Sequence, residues 1–96
     1  MIALPLKSGA ANAHHTFNMQ LGNNFLEFTL NYITVYGPAW SVDIRREGEL
    51  LVGGAMLEPG GDIIETYNAG IGKLYFYGAD VTLDNLGKDN KLVWYE

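Results

Sequence analysis

The stretch "AWSVDIRREGELLVGGAMLEPGGDI", residues 39 to 63, indicates the fold class, because it reads as one β-hairpin followed by a glycine-rich corner. Apolar and polar residues alternate over 40–45, a period of two that is typical of a strand with one buried face. The turn is predicted at Glu47-Gly48, and the return strand is expected to end at Gly53-Gly54. We expect the core to contain Trp40, Val42, Ile44, Leu50 and Val52, and the solvated face to carry Asp43, Arg45 and Glu49.

Short runs with the same alternation lie on both sides of this hairpin, and no long window has the apolar spacing of a helix. Further strands are predicted at residues 2–6, 17–21, 26–32, 73–77 and 92–95, with a short extended continuation at 81–83, a loop at 8–14 and a turn at 22–24. Asp62 precedes a short apolar stretch and is expected to cap a single helical turn.

The pattern predicts an all-β fold: a small antiparallel β-sandwich or barrel of six to seven short strands. At most one short helical turn is expected, near 62–67. We expect residues 1–96 to form a single β domain, in which 1–14 is an N-terminal strand or arm and a loop.

Composition limits how this domain is stabilised. The chain has 96 residues, of which 18% are charged, against about 25% in typical domains. It has no cysteine, so neither a disulfide nor a thiolate metal site can supplement the core. A domain of this size buries only about 60–70% of its unfolded surface. We expect it either to fold on its core alone or to gain stability from a partner.

The charge distribution argues against a nucleic acid partner, and the short apolar runs argue against a membrane-spanning segment. The net charge is −5, and the six basic residues are scattered, whereas binding to phosphates needs a clustered positive surface. The longest uncharged apolar run, 50–57, is interrupted by glycines and is too short to span a bilayer. Residues 1–13 lack the basic start of a secretory signal, so we expect no export.

The amino-terminal half is poor in charge, since only Lys7 and Glu27 carry a formal charge among residues 1–42. Depletion of charge is a feature of interface cores, which suggests that another molecule covers part of this half. The alternative is a solvated neutral surface of Asn, Thr and Ser.

Several short motifs resemble metal-binding or phosphate-binding sites, but each lacks a residue or a spacing that such a site needs. His14 and His15 are adjacent, so on an extended segment they point to opposite faces and do not converge on one ion. "GIGK" at 70–73 lacks the first glycine and the hydroxyl of a phosphate loop. The loop oxygens of Asp80, Asp84, Asp89 and Asn90 lack the spacing of a calcium loop. We therefore expect no catalytic residue, no cofactor and no metal.

Aromatic residues offer the remaining route to ligand binding. Alternating aromatic side chains are most often core residues or cross-strand pairs, but they can also form a platform for a sugar ring. The candidates for such a platform are Trp40, Tyr67, Tyr75, Tyr77, Trp94 and Tyr95.

The order of the segments resembles a known family. The stretch "HHTFNMQLGNNFLEFTLNY" is followed by "WSVDI", "LLVGGAMLEPGGDII", "GKLYFY", "LDNLG" and a terminal "LVWY". From about Phe17 to the end, this order is similar to that of the small plug proteins of contractile-tailed phage baseplates. The positions that carry the resemblance are Trp40, Asp43, Ile44, Gly54, Asp62, Gly72, Leu74 and Gly87.

The resemblance implies a structural virion protein and not an enzyme. Such a protein is made in the host cytoplasm and acts as a plug or adaptor at the centre of the tail baseplate, where it closes or joins the tail tube and the hub or spike. It is present in several symmetric copies as a homo-oligomer. The alternative is a small β-sandwich module that binds a ligand such as a carbohydrate.

Symmetric rings commonly pack a strand or arm of one subunit on the next. The segment 2–6 is either such an arm, which adds to a neighbouring sheet, or a strand that closes its own sheet. The residues that we expect at intermolecular contacts are Ile2, Leu4, Leu6, Tyr36, Trp94 and Tyr95.

Overall fold

The structure is a computed structural model that describes residues 1–35 and 37–96. In these residues, seven strands form two antiparallel sheets, which confirms the predicted fold class. The strands are β1 (Ile2–Ala3), β2 (His14–Leu21), β3 (Asn24–Ile33), β4 (Ala39–Arg46), β5 (Glu49–Met56), β6 (Lys73–Gly78) and β7 (Asn90–Tyr95).

The four-stranded sheet has the order β2-β3-β4-β5, and the three-stranded sheet has the order β1-β7-β6. The chain starts in the smaller sheet, builds the larger one as a meander and then returns. Because the strands of the meander are consecutive, each alternating run pairs with the next run along the chain, as the hairpin patterns predict.

The inward faces of both sheets contribute to one buried cluster, so the sheets pack against each other over a shared core. The larger sheet supplies residues such as Phe28, Trp40 and Val42, and the smaller sheet supplies Phe76 and Leu92. Four of the five predicted core residues of the 40–52 hairpin are buried: Trp40, Val42, Ile44 and Val52.

The prediction for Leu50 was wrong, because its side chain is 51% exposed. The pairing of β4 with β5 shifts register between Ile44 and Arg45, so Leu50 lies opposite Arg45 on the outward face. An extra residue in one strand exchanges the faces of the residues beyond it. β5 also continues through Gly53-Gly54 to Met56, instead of ending at the glycines.

Four local predictions differ from the structure. Residues 81–83 do not form a strand. A 3₁₀ turn occurs at Glu65–Tyr67, but its N-cap residue is Ile64 and not Asp62. Asp62 instead accepts hydrogen bonds at Oδ1 from the backbone N–H groups of Ile64 and Leu74. A second 3₁₀ turn, Ala10–Asn12, lies in the segment predicted as a loop, and β2 begins at His14 instead of Phe17.

The N-terminal segment pairs with the protein's own sheet. Ile2 lies opposite Trp94, and the N–H of Leu4 donates to the carbonyl of Leu92 over 2.9 Å. Of the two alternatives for residues 2–6, the one that closes its own sheet is therefore the arrangement of this chain. β1 itself is only two residues long, because Pro5 follows closely.

Candidate functional site

The residues expected at intermolecular contacts fall into two groups. Leu4 and Trp94 are 5% and 6% exposed and belong to the core, so the fold itself covers most of each side chain. Ile2 is exposed, while Leu6 and Tyr95 are half-buried. Tyr36 lies outside the described residues. The structure brings Ile2 and Trp94 together as cross-strand neighbours in the three-stranded sheet.

The outward face of the four-stranded sheet brings together polar residues that are dispersed in the sequence. We call it the neutral face, because most of its side chains are uncharged and polar: His14, Thr16, Asn18, Gln20, Thr29, Asn31 and Ser41. Its charged members, Glu27, Asp43 and Arg45, lie on β3 and β4, so β2 contributes none.

Cross-strand contacts hold the polar side chains of the neutral face together. His14 Nδ1 contacts Asn31 Oδ1, and the hydroxyl oxygens of Thr16 and Thr29 are 3.3 Å apart. The side chains of Thr29 and Ser41 are small enough to be covered by their neighbours, and both residues are buried. These contacts limit the freedom of the side chains before any partner binds, which lowers the entropic cost of docking.

A concave pocket of about 450 Å³ lies at one end of the neutral face. Arg46 Nη1 donates to Asn24 Oδ1 over 3.0 Å and so connects the β4–β5 turn to the β2–β3 turn. The lining combines amides, an exposed aromatic ring and charged groups: Asn18, Gln20, Asn23, Asn24, Phe25, Glu27, Arg45, Arg46 and Glu47, with Gly48. The sequence signal for this pocket was the cluster of amides at 18–24, which we interpreted only as part of a strand and the turn that follows it.

Three tyrosines cluster on the outward face of the three-stranded sheet. Tyr75 stacks on Tyr77 at a centroid distance of 6.2 Å and meets Tyr95 edge to face at 5.6 Å. The hydroxyl groups of Tyr77 and Tyr95 are hydrogen-bonded over 2.9 Å, and this bond raises the pKa of Tyr77 above its ordinary value. The cluster places Tyr95, an expected contact residue, beside two aromatic neighbours.

The six aromatic candidates for a sugar platform do not all come together, because the structure separates them. Trp40 and Trp94 are buried in the core, where their indole N–H groups donate to the carbonyls of Thr82 and Ile71. Tyr67 donates its hydroxyl to the carbonyl of Gly53. Three of the six candidates, Tyr75, Tyr77 and Tyr95, remain together.

The two histidines point in opposite directions, as predicted for adjacent residues of a strand. His14 lies on the neutral face, whereas His15 Nδ1 is 2.8 Å from the carbonyl oxygen of Asn12. The ring of His15 meets Trp40 edge to face at 5.9 Å, and its Nε2 is buried without a hydrogen-bond partner within the described residues. His15 is therefore a packing residue.

The loop motifs have structural roles. Within 1–35 and 37–96, no three His, Asp or Glu side chains lie close enough together to hold a metal ion. Asn90 accepts from the N–H of Gly87 over 2.8 Å and donates to the carbonyl of Ala79 over 3.1 Å, so it fixes the 79–90 loop. In the described part of the chain, no helix has the length and hydropathy needed to cross a membrane.

Comparison with protein families gives a match over the whole sequence. The model of the family described as "Cyanophage baseplate Pam3 plug gp18" matches residues 1–96, which is the full length of the sequence. The search of curated proteins found no match.

Proposed function

This chain belongs to the cyanophage baseplate plug family, and on that premise we propose that it is a structural component of the virion and not an enzyme. In this proposal it lies at the centre of the baseplate of a contractile tail. There it closes the tail tube or joins it to the hub or spike. The family match over the whole sequence is the observation that carries the proposal.

The chemistry of the neutral face supports a role in assembly. A face of hydroxyl and amide groups loses little on desolvation when a partner supplies matching hydrogen bonds, whereas burial of an unpaired charge is costly. Because β2 adds no charge to this face, a neighbouring protein can cover its β2 side without burying an ion.

We propose contacts with other tail proteins, and with further copies of the chain in a symmetric assembly, through the six residues expected at intermolecular contacts. Ile2, Leu6 and Tyr95 are the candidates that retain exposed surface, while Leu4, Trp94 and the undescribed Tyr36 complete the set. The proposal includes synthesis in the host cytoplasm and no binding to nucleic acid, since six basic residues stand against eleven acidic ones.

The direct test is the composition of purified particles. We expect quantitative mass spectrometry of washed virions and isolated baseplates to detect this chain at a fixed ratio to the other baseplate proteins. Deletion of its gene should yield tails with an open or unstable baseplate, and expression of the intact chain should restore them. If the chain is abundant in the lysate but absent from washed particles, the proposal is wrong.

Complementation with charged variants tests the contact residues. Ile2→Glu and Tyr67→Glu add the same charge at positions that are each 36% exposed, but only Ile2 is a proposed contact. We expect Ile2→Glu to reduce incorporation into particles and Tyr67→Glu to leave it nearly unchanged. Equal incorporation of both variants would remove Ile2 from the interface.

A further inference from the structure

Unpaired sheet edges are sites of intermolecular pairing unless they are protected. The two sheets of the described residues have four edge strands, and three of them are protected against such pairing. β5 has two register shifts in its pairing and begins with Glu49. β6 is partly covered by the segment before it, since Ile63 donates to the carbonyl of Leu74 and Asp62 accepts from its N–H. β1 is two residues long and is followed by Pro5.

The fourth edge, β2, has none of these protections. Its eight residues, His14–Leu21, contain no Asp, Glu, Lys or Arg and no proline or glycine. It pairs with β3 in one continuous register without a bulge. Long, flat and uncharged edges of this kind are the ones on which another strand adds most easily.

The register shows which backbone groups of β2 are free. The N–H of Tyr32 donates to the carbonyl of Ala13 over 2.8 Å, at the position that extends the pairing of His14 with Asn31. In an antiparallel pair, alternate residues bond to the partner strand. Odd-numbered residues therefore bond to β3, and the N–H and C=O groups of the even-numbered residues point away from the sheet: His14, Thr16, Asn18 and Gln20.

We propose that β2 pairs with β2 of a second copy of this chain, antiparallel across a two-fold axis. With Phe17 opposite Phe17 of the second copy, His14 lies opposite Gln20 and Thr16 opposite Asn18. In this register, every free N–H and C=O of the four even-numbered residues finds a partner. Each even-numbered residue of one β2 strand lies opposite an even-numbered residue of the other. The neutral faces of both copies therefore join on one side of an eight-stranded sheet.

A second copy fits this edge because the edge is complementary to itself. Pairing of β2 with β2 brings no like charges together. The half-buried Phe17 and Met19 lie in the inward row and gain cover from the second copy. Since β2 is the unprotected edge of the described sheets, two copies that join edge to edge use the same strand on both sides. This arrangement gives a two-fold dimer.

The dimer is a state of the free chain, so it does not depend on the proposed function. An interface of one strand from each copy lies at the low end of interface size, and we expect it to dissociate on dilution. If the dimer is absent, the test of virion composition is unaffected.

Analytical ultracentrifugation of the purified chain over a wide concentration range tests the proposal. We expect a reversible monomer–dimer equilibrium. Asn18→Pro removes a free edge N–H without touching the ladder to β3, so it should remain folded and lose the dimer. Asn18→Ala keeps that N–H and should still dimerise. A wild-type chain that is monomeric at all concentrations, or an Asn18→Pro variant that dimerises normally, would overturn the proposal.

A charge pair tests the register. Thr16→Lys combined with Asn18→Lys places lysines opposite each other across the dimer and should weaken it about tenfold. Thr16→Lys combined with Asn18→Glu places opposite charges there and should dimerise at least as well as wild type. Thermal unfolding of the dilute chains checks that both variants are folded. Equal dimerisation of the two double variants would show that the register is wrong.

Discussion

At the residue scale, two tryptophans connect irregular segments to the core. The indole N–H of Trp40 donates to the carbonyl of Thr82 over 3.0 Å, and that of Trp94 donates to the carbonyl of Ile71 over 2.6 Å. Each bond satisfies a donor that would otherwise be buried without a partner. Gly72 follows directly after Ile71 with φ of +97°, and a Cβ there would overlap the carbonyl oxygen of Tyr95. Gly72 is one of the positions that carry the family resemblance, and a glycine is needed there for this steric reason.

The raised pKa of Tyr77 predicts a pH dependence of stability. The hydrogen bond with Tyr95 favours the neutral hydroxyl, so the pKa of Tyr77 lies above its ordinary value of 10.0. Its contribution to stability is fully present below that value and is lost as the pH rises through the folded-state pKa. We expect the free energy of unfolding to fall more steeply above pH 10 in wild type than in Tyr77→Phe.

Urea denaturation at a series of alkaline pH values measures this difference. Tyr67→Phe is the control, because the hydroxyl of Tyr67 bonds to a backbone carbonyl and not to another tyrosine. Parallel curves for wild type and Tyr77→Phe would contradict the assignment of the shift to this hydrogen bond.

At the element scale, the bulge of β5 determines how the 39–56 hairpin is built. Two residues, Gly53 and Gly54, lie opposite Asp43, and the N–H of Gly54 donates to Asp43 Oδ1 over 2.7 Å. Gly54 has φ of +71°, a conformation that is strained for residues with a Cβ. The bulge returns Ala55 to the inward face, where it is buried.

Replacement of Asp43 tests the role of this bulge. Asp43→Ala removes the acceptor of the Gly54 N–H and should lower the free energy of unfolding by about 1–2 kcal/mol. Asp43→Asn retains an acceptor oxygen and should cost less. Equilibrium denaturation in guanidinium chloride provides the measurement. If both variants are as stable as wild type, the carboxylate does not stabilise the bulge.

At the scale of the whole molecule, the two ends of the described chain meet in the three-stranded sheet. β1 pairs with β7, and the segment that follows β1 is bonded to the 83–89 loop. The N–H of Gly9 donates to the carbonyl of Leu83 over 2.8 Å, and Ser8 Oγ donates to the carbonyl of Asp84 over 3.1 Å. Residues 2–9 are therefore part of the fold of the free chain.

This arrangement predicts that the N-terminal segment stabilises the free chain. Leu4→Ala should lower the free energy of unfolding by about 2–4 kcal/mol, because Leu4 is buried in the shared core. Ile2→Ala, at an exposed position of the same segment, should cost less than about 1 kcal/mol. Thermal and urea denaturation measure both values. A stable Leu4→Ala variant would mean that the segment is free to pair with a neighbour instead.

The sequence alone determined the strand content, the hairpins and most of the core, because alternation with a period of two is a local property of the chain. It also determined that the amino-terminal half has few charges. The misplaced Leu50 and the missing strand at 81–83 show the limit of such local patterns. An extra residue in β5, between Val52 and Leu50, changes the face of Leu50, and no property of Leu50 itself reveals it.

Only the tertiary structure decided which edges are covered, which tryptophans are buried and where the neutral face lies. The strand order leaves β2 at an edge and brings residues 62–63 against β6. Both results depend on contacts between segments that are distant in sequence. Such contacts are set by the packing of the two sheets over their shared core, and a local pattern carries no information about them.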